Sequence, residues 1–209
     1  MDVQREVLVL GIGNFLWADE GFGVRAVEAL HQAFRFPAGV ELVDGGTLGL
    51  SLLPYVETSR CVLVLDAIDY GLEPGTLRVL RDAEVPAWGA RKLSPHQNGF
   101  NDVLALARLH GCPPEHIVAI GVQPQTLDDF GGSLTAPVRA RLADAVKLAT
   151  EQLAAWGYPG TARPAGDIAE PLNAGSVGLQ EYEALRPSAE DACRSGDPRL
   201  LELRQRAGS

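Results

Sequence analysis

Short apolar runs alternate along this chain with longer segments whose apolar residues return at helical spacing. Residues 7–10, Val-Leu-Val-Leu, read as a buried strand ended by Gly11-Ile-Gly-Asn14. Residues 20–35 place Val24, Val27, Leu30 and Phe34 on one side, which predicts a helix. A second strand is predicted over 40–43, ended by Asp44-Gly-Gly-Thr47, and a short helix over 48–53. Residues 61–65 make the most apolar strand and run into Asp66-Ala-Ile68. Residues 76–80 alternate after the turn Glu73-Pro-Gly75, the pattern of an antiparallel edge strand. A helix over 99–110 and a strand over 117–120, ended by Gly121, come next. The last strong helix is predicted over 136–156, where Val138, Leu142, Val146, Ala149 and Leu153 recur.

Strands that are apolar throughout belong to a sheet covered on both faces, and strand–helix alternation calls for right-handed parallel crossovers. The expected fold is therefore α/β, a three-layer α/β/α sandwich around a twisted, mostly parallel, five-stranded sheet. Composition changes after Trp156, where Gly, Pro, Ala and Ser replace β-branched residues. This divides the chain into a domain over 1–156 and an irregular, partly disordered extension over 157–209, with a short charged helix expected over 198–206.

The length of 209 residues fits one domain with an appendage. A net charge of −9 argues against nucleic acid as a partner and against docking on anionic lipid by charge. No apolar run approaches the roughly 18–20 residues of a membrane span, and residues 7–10 are too short for a signal segment. Three cysteines without a C-x-x-C pair make neither a disulfide framework nor a thiolate zinc site. The expected location is the cytoplasm.

No G-x-S-x-G elbow, H-E-x-x-H helix or P-loop is present. Gly11-x-Gly13 opens like a dinucleotide fingerprint, but Leu16 stands where the third glycine belongs. Asp44, the nearest acid for a ribose, lies well beyond the usual ~20 residues. In open α/β sheets ligands bind beyond the carboxyl ends of the strands. The polar residues collected there are Asn14, Asp19 and Glu20, then Asp44, then Asp66 and Asp69, then His96 in a later loop. Two carboxylates and an imidazole would suit a borderline divalent ion such as zinc or nickel; caps and turns use the same acids.

Four segments narrow the choice. Gly11-Ile-Gly-Asn-Phe-Leu-Trp-Ala-Asp-Glu-Gly-Phe-Gly-Val-Arg25 resembles the opening motif of the [NiFe]-hydrogenase maturation endopeptidases. Asp44-Gly-Gly-Thr-Leu-Gly49, Asp66-Ala-Ile68 and Ser94-Pro-His-Gln97 match three further motifs of that family in order and spacing. The resemblance covers roughly residues 6–156, and the tail departs from the shorter members.

The resemblance implies an endopeptidase that removes a short C-terminal peptide from the precursor of the [NiFe]-hydrogenase large subunit. It implies a twisted sheet between helices, and metal contact through Glu20, Asp66 and His96. The nickel would arrive with the substrate rather than reside in the protein. Glu20 and Asp66 would repel each other without it, so cleavage would report completed metal insertion. A carboxylate-held water would attack, as in an aspartyl-type endopeptidase, and Asp44 is a candidate to orient substrate or water; an Asx turn is its equal alternative. A nickel-sensing chaperone that does not cut would use the same residues. Asp19 is expected to cap the helix beginning near Glu20. Gln123 and Asp128-Asp129 are candidates for the cleft wall, and Gly131-Gly132 for a loop beside it.

Overall fold

The computed structural model describes residues 5–85, 95–172 and 178–187, with residues 95–98 described by their backbone. In chain order the elements are β1 (Arg5–Ile12), a 3-10 turn (Ala18–Gly21), α1 (Phe22–Ala33), β2 (Phe34–Arg35) and β3 (Val40–Gly46). A second 3-10 turn (Gly49–Leu52), α2 (Leu53–Glu57), β4 (Ser59–Ala67), β5 (Leu77–Arg81) and α3 (Pro95–Leu109) follow. The chain continues through β6 (His116–Val122), α4 (Ala136–Arg139), α5 (Leu142–Ala155), β7 (Thr161–Ala162) and α6 (Leu179–Leu185).

The main sheet has five strands in the order β3-β1-β4-β6-β5. The first four are parallel and β5 pairs antiparallel with β6, as its alternation predicts. Period-two alternation sends Val7, Val9, Leu63 and Leu65 to one face, against Phe22, Ala26, Val27 and Leu30 of α1 and Ala145, Ala149 and Leu153 of α5. Leu8, Leu10, Val62 and Val64 face the other way, against Val56 of α2 and Phe100, Val103, Leu104 and Ala107 of α3. Both faces are covered, so the strands read as unbroken apolar runs and the three-layer architecture follows.

The approach of α1 to the sheet depends on two glycines. A methyl group on Gly23 would stand 2.1 Å from the Leu65 carbonyl oxygen and 2.2 Å from that of Ile12. One on Gly11 would stand 2.5 Å from the Gly23 carbonyl oxygen. These glycines let a helix touch strand backbone.

Three expectations change. The first helix starts at Phe22 and stops at Ala33, because Phe34 and Arg35 pair with Ala162 and Thr161. The helix expected over 136–156 is two, interrupted at Ala140–Arg141. The described part of the extension is packed on the domain: Tyr158 and Leu172 lie against the α1 side of the core. Gln32 Nε2 donates to the Ala169 carbonyl and Ala169 N–H to Gln32 Oε1, each at 3.2 Å. The charged helix expected over 198–206 lies outside the described residues.

Asp167 fastens this return segment. It lies 2.7 Å from Arg35 Nη2 and 3.2 Å from Arg163 Nη1. The Arg35 hydrogen bond, assisted by that of Arg163, holds its carboxyl below the usual carboxylate range. A lowered folded-state pKa means the stabilisation is complete above the unfolded pKa and fades as pH falls through the folded one. Asp167→Asn is therefore expected to melt below the parent at pH 7 and to converge with it as pH falls through the parent's folded-state pKa and the charge is lost. A constant difference across thermal melts in that window would remove the ion pairs as its cause.

Candidate active site

The carboxyl edge of the parallel strands gathers the motif residues. β1 ends at Ile12 and the chain turns at Gly13, whose φ of +130° and crowded Cβ position require glycine. A methyl group there would stand 1.8 Å from the Glu20 carbonyl oxygen and 3.9 Å from Asp66 Oδ1. The turn carrying Glu20 and the Asp66 carboxylate thus meet over one glycine. The fingerprint-like Gly11-x-Gly13 serves helix packing and this closure; the space at Gly13 is filled by the chain's own backbone.

Each expected site residue has a definite place. Glu20 is half-buried in the 3-10 turn Ala18–Gly21. Asp66 is 3% exposed and is the second-last residue of β4 rather than a loop residue. Its Oδ1 accepts the Ala67 N–H at 2.7 Å. In phase with Val62 and Val64, it belongs to the face covered by α2 and α3. His96 lies in the first turn of α3, not in a loop, and its side chain is outside the described residues. That helix starts beside the loop after β3: a methyl group on Gly99 would stand 3.6 Å from the Gly49 Cα. The structure therefore brings Glu20, Asp66 and the start of α3 to the same edge of the sheet.

Asp44 falls differently. It pairs with Gly11 and is in phase with Val40 and Leu42, which pack on the α1 side. Its charge reaches Glu28 on α1. Burial raises the Glu28 pKa, against the opposing pull of Arg25, and Asp44 pushes it further up. Asp66 and Asp44 thus belong to opposite faces of the sheet. Among the described residues no group of three or more His, Cys, Asp or Glu side chains stands where it could hold a metal ion.

Asp19 does not cap the helix. It is 0% exposed, and its Oδ2 accepts the N–H groups of Gln125 and Thr126 at 2.8 and 3.1 Å and the Thr135 hydroxyl at 2.9 Å. Its Oδ1 accepts the Thr135 N–H at 2.7 Å. It ties the loop after β1 to the loop after β6. Gln123 is likewise a clamp: its Oε1 accepts the Tyr70 and Leu72 N–H groups and its Nε2 donates to Asp69. The loop containing Gly131 and Gly132 is joined to Trp17 by two β-bridges, with the Trp17 and Phe130 rings 5.2 Å apart. Local pattern shows none of these ties, since their partners lie 51 to 116 residues away.

The family model for HycI, hydrogenase maturation protease, matches residues 24–152. The chain belongs to the hydrogenase maturation protease family. It is 54% identical over 196 residues to the hydrogenase expression/formation protein HoxM of Azotobacter vinelandii, covering 93% of this chain and 94% of that one. It is 41% identical over 160 residues to the hydrogenase 2 maturation protease of Escherichia coli, covering 76% and 97%. The structure of the hydrogenase maturating endopeptidase HybD from E. coli superposes with a TM-score of 0.73 at 40% identity, covering 76% and 98%. This family member is therefore a hydrolase, an endopeptidase of hydrogenase maturation, and its five-stranded sheet between helices is the fold of that neighbour. A match over 93% of the chain runs into residues 157–209, so the longer relatives share much of the protease's extension. No helix among the described residues is long and apolar enough to cross a membrane.

Proposed function

We propose that this protease removes a short C-terminal peptide from the nickel-loaded precursor of the [NiFe]-hydrogenase large subunit, and that the nickel arriving with the substrate is its recognition element. The observation that carries the reading is the meeting of the Glu20 turn and the buried Asp66 over Gly13, with the helix that carries His96 starting at the same edge of the sheet. In this reading the Glu20 and Asp66 carboxylates take up the cation together, and a precursor without nickel brings none. Glu20, Asp66 and His96 are assigned to that ion. Water adds to the scissile carbonyl carbon, the C–N bond breaks and the proton leaves with the amine. A carboxylate holds the water, and Asp44 is the candidate to orient substrate from the α1 side.

A protein substrate also suits the rim. Leu16, Leu48, Leu50, Leu72 and Phe130 are large, apolar and exposed; Leu50 lies in the 3-10 turn after β3 and the others in loops that follow strands of the main sheet. Exposed apolar residues grouped around a site mark a surface for another protein. The cytoplasm is the location that goes with this reading.

The test is to incubate the protein with precursor, with and without nickel, and to weigh the products by mass spectrometry. The expected result is loss of a short C-terminal peptide from the nickel-loaded precursor alone. Cleavage of both forms would overturn nickel as the recognition element. Binding with unchanged mass would make the protein a sensor that does not cut.

A further inference from the structure

Described residues of the extension meet both ends of α1. At the end of that helix, β7 pairs with β2, Arg163 Nε donates to the His31 carbonyl at 2.9 Å, and His31 Nε2 lies 2.9 Å from the Glu170 carbonyl oxygen. At its beginning lies α6. The Tyr182 ring stands edge-on to Phe15, with centroids 5.8 Å apart and planes at 87°. The Arg25 guanidinium lies over both rings, 5.2 Å from the Phe15 centroid and 5.5 Å from that of Tyr182. The Tyr182 hydroxyl donates to the Gly132 carbonyl at 3.3 Å. Glu183 accepts the Ser133 hydroxyl at 2.6 Å and pairs with Arg139.

One short helix therefore grips two loops. Residues 13–21 form the first, which carries Glu20. Phe15 belongs to it, and a methyl group on Gly21 would stand 2.7 Å from the Phe15 Cα. This loop holds Ala18 at a φ of +45°. A left-handed conformation strains a residue with a Cβ and persists where the surroundings impose it. The second loop, 130–135, meets the first through Trp17 and through the Gly131 N–H on the Leu16 carbonyl at 2.7 Å. Tyr182 thus touches the Glu20 loop directly and braces it again through Gly132.

We propose that the C-terminal extension is a positioning strap for the active site, in which Tyr182 fixes the loop that carries Glu20. The catalytic side of this inference rests on Glu20 belonging to the substrate-binding site; the fixing of the loop does not. Fixing matters because site geometry held loosely costs rate: a misplacement of about 1 Å can lower it by about 100-fold. The E. coli relative, matched over 97% of its own length, covers 76% of this chain, so the strap is a device of the longer members.

The test uses the full chain and the variants Tyr182→Ala, Tyr182→Phe and Glu183→Gln. Hydrogen exchange is followed in residues 13–21 and, as reference, in β1 and β4. Cleavage of nickel-loaded precursor gives kcat and KM. Tyr182→Ala is expected to speed exchange in 13–21 by ~10-fold with β1 and β4 unchanged, and to lower kcat by ~10-fold to ~100-fold at constant KM. Tyr182→Phe keeps the ring against Phe15 and Arg25 and should restore kcat to within about two-fold. Should Tyr182→Ala not fold, Glu183→Gln must show the same pattern at smaller amplitude. Unchanged exchange in 13–21 overturns the strap. A rise in KM alone overturns it in favour of a docking surface for the precursor. A parent protein that leaves the precursor whole defeats the function proposed above, while the exchange measurement still decides the strap.

Discussion

Asp66→Asn is expected to leave the nickel-loaded precursor at least ~100-fold more slowly processed while the protein folds as before. The substitution keeps the shape of a side chain that is 3% exposed and removes its charge. The backbone of β4 stays paired with β1 and β6 on either side, because its ladder uses no Asp66 side-chain atom. What disappears is one of two carboxylates assigned to the incoming ion. Groups placed for function are held at some cost to stability, so the variant should melt at or slightly above the parent temperature. Burial already pushes the neighbouring Tyr70 hydroxyl pKa upward, and the Asp66 charge adds to this. The neutral variant should relax the second contribution only. Mass spectrometry of the precursor over time, beside a thermal melt, separates the two outcomes. Processing at the parent rate would take Asp66 out of the site. Slow processing with a large fall in melting temperature would make it structural.

The scaffold was legible because its signals are local and repeated. Strands such as 61–65 are buried on both faces and read as unbroken apolar runs. The antiparallel β5 announced itself by alternation after a Pro-Gly turn. The helix over 99–110 was legible but its start was not: the His96 segment read as a loop although Ser94-Pro95 carries a start signal, proline at the first helical position. Other features had no local signature. An aspartate just before a helix looks the same whether it caps that helix or holds a distant loop, and Asp19 does the second. Part of the extension's attachment runs through backbone groups, such as the Ala169 N–H and carbonyl on Gln32, and the rest through scattered side chains such as Asp167 and Tyr182, neither of which hydrophobic periodicity records. The opposite faces of Asp44 and Asp66 follow from strand phase, which the sequence contains. They became visible only once register fixed which residues share a side.

Asp19→Ala is expected to lower unfolding stability by about 4 kcal/mol, the largest loss from any single polar side chain of the site. Its carboxylate receives three backbone N–H groups and one hydroxyl, from Gln125, Thr126 and Thr135. Removing one buried acceptor that serves four donors, on exposed Gln125 and half-buried Thr126 and Thr135, costs about 1–3 kcal/mol for each group that water does not reach. The upper end is not reached, since the Thr135 hydroxyl can turn and water can enter near half-buried Thr126. Asp19→Asn refines the argument. Its oxygen can replace Oδ1 toward the Thr135 N–H or Oδ2 toward the other three donors, but its amide hydrogens must then face the remainder. It should cost about 2–3 kcal/mol, close to the alanine variant despite its near-identical shape. Urea unfolding measures both, with a lower midpoint and an unchanged slope as the sign of a pure stability effect. A loss below about 1 kcal/mol for Asp19→Ala would mean that the two loops are held by the Trp17 bridges and by Tyr182 without it. The same variant should then keep the Glu20 turn in place; under the larger loss, Ala18 is free to leave its left-handed conformation and processing falls with stability.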